Sequence, residues 1–109
     1  LAHSIKLPVV DITLHYADKV PFAQIVRYDR ILNSQGQLER YHQEDFCQAL
    51  GFSHQRKYQQ DGGPSFRDCY QLINEVSTNP ADDMDNLLRW QIFNVLAGNS
   101  DGHAKNISW

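Results

Sequence analysis

Three polar residues near the carboxyl end of the sequence have side chains and a spacing that would suit a catalytic site. Asp101 is followed by His103 two positions later and by Asn106 five positions later. A carboxylate can accept the proton of an attacking hydroxyl group, and an amide oxygen suits a hard cation such as Mg²⁺. Phosphoryl transfer needs such a pair in one short loop, because its transition state depends mainly on positioning. The spacing therefore predicts a phosphotransfer loop.

The interval between Asp101 and Asn106 is that of the protein-kinase catalytic loop H-R-D-x-x-x-x-N. The form D-x-H-x-x-N is instead typical of lipid-kinase-like enzymes, in which the His can donate to the transferring phosphoryl group. We expect Asp101 to be the catalytic base, Asn106 a Mg²⁺ ligand, and His103 and Lys105 to be donors to phosphate. Taken alone, D-G-H could equally be an ordinary turn, with Asp101 bonded to its own backbone and Gly102 at positive φ.

Two further stretches carry a resemblance to one family. Residues 38–51 contain R-x-x-Q-E-D-x-C-Q-A-L-G, and residues 57–64 contain K-Y-x-x-D-G-G-P. Together with D-G-H-A-K-N at 101–106, they resemble the motifs of HipA-family bacterial toxin kinases. The resemblance runs from about residue 26 to residue 109.

The resemblance implies an α+β fold, a fragment of a two-lobed protein-kinase-like structure with short antiparallel strands followed by a mainly helical C-lobe. Residues 1–41 would be the end of the N-lobe strands and the hinge, and residues 42–109 the helical core ending in the catalytic loop. The implied activity is ATP- and Mg²⁺-dependent serine/threonine phosphorylation by a toxin that causes growth arrest or persistence. The implied partners are a protein substrate and a helix-turn-helix antitoxin.

The same resemblance places an interlobe hinge at residues 26–30. Backbone groups of Val26 and Tyr28 would bind adenine, and Asp29 would lie near the ribose. Without the downstream motifs, Tyr28 and Asp29 would be interpreted as a strand-end aromatic residue and a turn residue.

Several parts that a kinase needs are not found in the sequence, namely a Gly-rich phosphate loop, a V-A-I-K-like strand and a D-F-G-like Asp. We therefore expect a fragment that is inactive by itself. The alternative is a non-catalytic interaction module or pseudokinase that binds an antitoxin or target.

Charge and cysteine content limit the remaining function classes. The net charge of −3 and the pI near 5.9 give no basic footprint, so direct nucleic-acid binding is not expected. Cys47 and Cys69 lie on apolar helical faces without a C-x-x-C pattern, which predicts buried free thiols and fits a reducing cytoplasm. No apolar run approaches the roughly 20 residues that span a bilayer, so no membrane association is expected.

The elements that must position the loop are marked by local signals. We predict antiparallel strands at 7–16 and 21–28 joined near 17–19, and a turn at 33–36 before a strand at 37–41. Helices are predicted over 43–50, from a capping box at Ser65 onward, and from Asn79 with Pro80 in its first turn. The D-G-G-P segment is interpreted as the loop leading into the second helix. The third helix is expected to bury one apolar stripe, formed by Met84, Leu87, Leu88, Ile92, Val95 and Leu96.

Overall fold

The computed structural model describes residues 2–108, so Leu1 and Trp109, the outermost residues of the two predicted parts, lie outside it. The chain forms two compact units. One unit is Pro8–His42, and the other combines the segment before Pro8 with the chain from Gln43 onward.

The Pro8–His42 unit begins with a hairpin of β1 (Ile12–Ala17) and β2 (Val20–Ile25). Its two turn residues, Asp18 and Lys19, have φ of 47° and 73°, as a tight hairpin turn requires. The predicted antiparallel pairing is confirmed. The predicted first strand began too early, because Pro8 lacks an N–H and the paired register starts only at Ile12 and Ile25, with one flanking hydrogen bond from the Val26 N–H to the Asp11 carbonyl.

A second hairpin follows, with β3 (Arg30–Leu32) paired antiparallel to β4 (Leu38–Arg40). Asn33 organises its turn, since its Oδ1 accepts hydrogen bonds from the backbone N–H groups of Gln35 and Gln37 at 3.0 and 2.9 Å. Gly36 adopts a φ of 74° and donates its N–H to the Asn33 carbonyl. The predicted turn at 33–36 is confirmed.

The second unit is helical, with α1 (Phe46–Ala49), α2 (Phe66–Val76) and α3 (Pro80–Ala97). Three short 3₁₀ turns, His3–Ile5, Gln59–Asp61 and Ala104–Asn106, complete it. The predicted first helix is shorter than expected because Asp45 forms a capping box with Gln48 and so fixes the start at Phe46.

The starts of α2 and α3 agree with the sequence signals. Ser65 and Asp68 form the predicted capping box, with the Asp68 N–H 3.2 Å from Ser65 Oγ. Asn79 is the N-cap residue of α3, but its side chain caps no backbone N–H and instead donates to Asp82.

The core of the helical unit lies between α1, α2, α3 and the last 3₁₀ turn. Its buried residues are Phe46, Cys47, Cys69, Leu72, Ile73, Leu87 and Ala104. Both cysteines are free and buried, as predicted, and burial raises the pKa of the Cys69 thiol to about 11.

The predicted buried stripe of α3 is wrong in most of its positions. Leu87 is buried, but Leu88 and Ile92 are 48% and 47% exposed, and Val95 and Leu96 are 70% and 72% exposed. Helix α2 packs against α3, and Leu87 and Trp90 lie on the face of α3 that joins the core cluster. Periodicity identified an amphipathic helix, but it could not identify which of two adjacent apolar faces is covered.

Candidate active site

The loop carrying Asp101 is tied to the end of α3 by a buried asparagine. Helix α3 ends at Ala97 and is capped by Gly98, whose φ of 65° is the left-handed conformation that ends a helix. Asn94 is 5% exposed, and its backbone carbonyl accepts the Asn99 N–H at 2.9 Å. Its Oδ1 accepts from Asn99 Nδ2 at 2.8 Å, and Asn99 Oδ1 in turn accepts the Asp101 N–H at 3.2 Å. These contacts connect the position of Asp101 to the core.

The far end of the loop is tied to the start of α1. The Phe46 N–H donates to the Ile107 carbonyl at 3.0 Å, and Asp45 and Ser108 form an isolated antiparallel bridge. Gln43 Nε2 donates to Ser108 Oγ at 3.0 Å. The loop is therefore fixed at both ends within one unit.

Asp101 is surrounded by three donors that all approach the same carboxylate oxygen. Tyr58 Oη donates to Oδ1 at 2.5 Å, His103 Nε2 lies 3.5 Å from Oδ1, and Lys57 Nζ lies 3.6 Å from it. The Asp101 side chain is 66% exposed. The hydrogen bond from Tyr58, helped by the Lys57 charge, lowers the pKa of Asp101, so the carboxylate is ionised at neutral pH.

An ordinary D-G-H turn does not describe this segment. The Asp101 carboxylate bonds Tyr58, which is 43 residues away in sequence. Gly102 lies outside the positive-φ region. Its lack of a side chain matters for another reason, because a Cβ there would lie 2.8 Å from Asn94 Nδ2.

His103 faces inward from the loop. Its ring contacts Tyr58 edge-on, with centroids 5.1 Å apart and planes at 75°, and its side chain is only 9% exposed. Its Nδ1 is buried and has no hydrogen-bond partner among the described residues. A cavity of about 140 Å³ beside the ring is also lined by Tyr58, Phe66, Leu87 and Trp90.

Lys105 and Asn106 lie in the 3₁₀ turn Ala104–Asn106, where Ala104 is buried and both polar side chains are exposed. The turn is closed by the Asn106 N–H, which donates to the His103 carbonyl at 2.9 Å. Residues 2–108 contain no group of three His, Cys, Asp or Glu side chains placed to hold a metal ion. A metal role for Asn106 therefore requires further ligands from outside the described residues, from water or from a bound phosphate.

The predicted hinge residues lie in the Pro8–His42 unit. Val26 and Tyr28 are 65% and 60% exposed, and the Val26 N–H donates to the Asp11 carbonyl at 3.3 Å. Asp29 is 4% exposed and is paired with Arg27 and Arg30. The hydrogen bond from Arg27 holds the pKa of Asp29 at about 2. A ribose hydroxyl would have to share a carboxylate already bound by two guanidinium groups, and the nucleotide-binding role of these residues remains a prediction.

Sequence reasoning did not assign Lys57 and Tyr58 to the site. The signal was present, because both open the K-Y-x-x-D-G-G-P motif that carried the resemblance. A local sequence motif can indicate a family. It does not show that the hydroxyl group of Tyr58 contacts the carboxylate of Asp101, which is 43 residues away in sequence.

The two antiparallel hairpins followed by a helical unit form a mixed α+β fold, as expected for a fragment of a protein-kinase-like structure. The model of the HipA-like C-terminal domain matches residues 1–109, and the chain belongs to this family. A relative from Sinorhizobium fredii, named "Putative kinase Y4mE", is 46% identical over 99% of this chain and 26% of its own length. The serine/threonine-protein kinase toxin HipA of Shewanella oneidensis is 31% identical over 100% of this chain and 28% of its own length.

The fold itself matches a solved structure. A chain in the complex of HipA, HipB and operator DNA from Shewanella oneidensis superposes with a TM-score of 0.87 at 29% identity, covering 98% of this chain and 28% of that chain. The expected HipA-like, kinase-like fold is thereby confirmed. The present chain spans about a quarter of the length of the relatives it matches.

Among residues 2–108, no helix is both long enough and apolar enough to cross a membrane.

Proposed function

We propose that these residues form the catalytic-loop part of a serine/threonine protein kinase toxin that transfers the γ-phosphoryl group of ATP to a protein hydroxyl group. The observation that carries the proposal is the Asp101 carboxylate, which is ionised, largely exposed and held in a loop anchored at both ends. Family membership and the kinase names of two relatives support it.

In this proposal Asp101 orients the acceptor hydroxyl group and accepts its proton. A lowered pKa makes the carboxylate a weak base, which suits phosphoryl transfer because alignment matters more there than proton abstraction. His103 and Lys105 would donate to the phosphates. Because the His103 ring is turned inward, it could donate only to a phosphate group that comes close to the loop.

The donor chemistry of the loop fits Mg²⁺ and a nucleotide. Asn106 offers a neutral oxygen on an exposed side chain, and Mg²⁺ usually combines one or two protein oxygens with phosphate and water. Bound Mg²⁺ would neutralise charge on the phosphates. Val26, Tyr28 and Asp29 are the proposed contacts to adenine and ribose.

The proposed setting is a bacterial toxin–antitoxin pair in the cytoplasm, with growth arrest or persistence as the outcome. The solved relative stands in a complex with HipB and operator DNA, which supports an antitoxin protein as partner. The net charge of −3 supports the proposal that this segment does not itself bind nucleic acid.

The test is Asp101→Ala in the complete kinase chain that contains these residues. We expect phosphorylation of a protein substrate to fall roughly 10²–10⁴-fold, because the group that acts on the nucleophile is removed. We expect the melting temperature to be unchanged, because the side chain is exposed. Transfer from labelled ATP and thermal unfolding are measured in parallel.

Asp85→Ala is the matched control, because Asp85 is also exposed and forms a surface ion pair with Arg89 on α3. Its activity should equal that of the unmodified protein. Equal turnover in Asp101→Ala and Asp85→Ala would contradict the catalytic assignment of Asp101. Absence of turnover in the unmodified chain as well as in both variants would favour a non-catalytic binding module.

A further inference from the structure

We propose that Tyr58 is the positioning residue of the catalytic carboxylate: its hydroxyl group fixes Oδ1 of Asp101 so that Oδ2 faces the acceptor hydroxyl group. The inference rests on the proposed kinase function. It assigns a function to the K-Y-x-x-D-G-G-P segment, which in the sequence analysis only indicates the family.

The first argument is the asymmetry of the contacts to Asp101. Tyr58 Oη, His103 Nε2 and Lys57 Nζ all make their closest approach to Oδ1, at 2.5, 3.5 and 3.6 Å. Within residues 2–108, no hydrogen bond to Oδ2 is present. One oxygen is therefore occupied by the protein, and the other can accept a hydrogen bond from a substrate.

The second argument is that Asp101 has little else to hold its side chain. At 66% exposed, the carboxylate has no packing that would select one orientation. Tyr58 is half-buried, and its ring lies against the buried His103 ring. A short hydrogen bond from this fixed phenol is the contact best able to select the orientation of the carboxylate.

The third argument is that the backbone holding Tyr58 is itself fixed. The Tyr58 carbonyl accepts the N–H groups of Asp61 at 3.0 Å and Gly63 at 2.9 Å. A Cβ on Gly63 would lie 2.4 Å from the Arg56 carbonyl oxygen and 2.8 Å from that of Tyr58. The second glycine of D-G-G-P is thus required for close approach of two backbone segments, and this packing places Tyr58 beside Asp101.

Lys57 has a subordinate role in the same arrangement. Its Nζ lies 4.8 Å from the centroid of the Tyr58 ring, as well as near Asp101. Lys57, Tyr58 and His103 are the titratable groups that face Asp101. The largest cause that lowers the Asp101 pKa is the Tyr58 hydrogen bond, so loss of this donor should raise that pKa toward its ordinary value.

The experiment compares Tyr58→Phe with Tyr70→Phe in the complete kinase chain. Tyr70 lies on α2 and is 45% exposed, so its variant removes a hydroxyl group away from the loop. For Tyr58→Phe we expect kcat to fall roughly tenfold to a hundredfold with little change in the KM for ATP. The acid limb of the pH–rate profile should move to higher pH, because a carboxylate with a raised pKa is protonated at higher pH.

A second variant keeps the hydroxyl group but moves it. Gly63→Ala must displace the carbonyls of Arg56 and Tyr58, so it should reproduce both the fall in kcat and the shift of the acid limb. Melting temperatures for all variants identify any loss of fold. A purely structural role for Tyr58 would change stability but would leave the acid limb in place.

Asp101→Ala in the same assay separates this inference from the proposed function. If Asp101→Ala is inactive while Tyr58→Phe equals Tyr70→Phe in kcat and pH profile, the positioning role is wrong and the kinase proposal stands. If Asp101→Ala is fully active, Asp101 is not the catalytic base, and both the proposed role of this loop and the positioning role of Tyr58 fail.

Discussion

Asp29 and Asp101 both have lowered pKa values, but for different physical reasons. Asp29 is buried, and the hydrogen bonds and charge of Arg27, with a smaller contribution from Arg30, hold its pKa at about 2. Asp101 is exposed, and a neutral phenol makes the largest contribution to its lowered pKa. Both carboxylate oxygens of Asp29 accept hydrogen bonds from arginine side chains. Among the described residues, only Oδ1 of Asp101 accepts a hydrogen bond. A perturbed pKa alone therefore does not identify the catalytic group.

Asn106→Ala tests the metal role at the residue scale. Removing one oxygen ligand should raise, roughly tenfold, the Mg²⁺ concentration that the complete kinase chain needs for nucleotide binding, because a direct contact to the ion is lost. ATP binding is measured by calorimetry across a Mg²⁺ titration. Asn74→Ala, an exposed asparagine on α2, is the control. Identical Mg²⁺ curves for the two variants would contradict the prediction.

At the scale of elements, the loop geometry depends on the contact between Asn94 and Gly102. The loop crosses α3 so closely that a Cβ at Gly102 would lie 2.8 Å from Nδ2 and 3.0 Å from Cγ of Asn94. Asn94 cannot easily move, because it is buried and bonded to Asn99. Buried polar contacts of this kind, rather than apolar packing alone, connect the loop to the helix.

Gly102→Ala should therefore destabilise the helical unit by about 1–3 kcal/mol through overpacking and should lower phosphotransfer as Asp101 moves. Thermal unfolding and activity are measured for Gly102→Ala, Asn94→Ala and the double variant in the complete kinase chain. The double variant should lose less stability than the sum of the losses in the two single variants. The reason is that Asn94→Ala removes the side-chain atoms that the new methyl group at position 102 would crowd. Strict additivity would show that Gly102 and Asn94 do not interact.

Local sequence signals predicted the elements but not the packing between them. Turn chemistry at Asn33, the capping box at Ser65 and the start of α3 at Asn79 were all identified, because each involves residues a few positions apart. The exposed face of α3 and the Tyr58–Asp101 contact were not, since both depend on residues distant in sequence. The loop could be predicted from the spacing of Asp101, His103 and Asn106. The residues that support it could be identified only from the three-dimensional structure.

At the scale of the whole molecule, apolar side chains are exposed on both units. On the hairpin they include Leu14, Tyr16 and Val20, each at least 60% exposed, and on α3 they include Val95 and Leu96. The chain spans 26% and 28% of the length of two relatives. Exposed apolar surface of this extent is typical of faces that other structure covers.

The 109-residue segment alone should show no measurable phosphotransfer and should bind Mg-ATP more weakly than about 1 mM. The reason is that the predicted adenine contacts and one loop cannot align a phosphoryl group by themselves. The segment should also self-associate as its concentration rises. Autophosphorylation, calorimetry and sedimentation test these points against the complete kinase chain. Tight binding or clear turnover would show that a sufficient nucleotide pocket lies within these residues.

The anchoring of the Asp101 loop to α1 also has a consequence for biosynthesis. Gln43 and Ser108, which close the site, are 65 positions apart in sequence. On the ribosome, at roughly 5–20 residues per second, several seconds separate the synthesis of the two. During that interval α1 and α2 can emerge and begin to pack, but Asp101 has no fixed position. A nascent chain therefore acquires an ordered Asp101 loop only after Ile107 and Ser108 have left the exit tunnel.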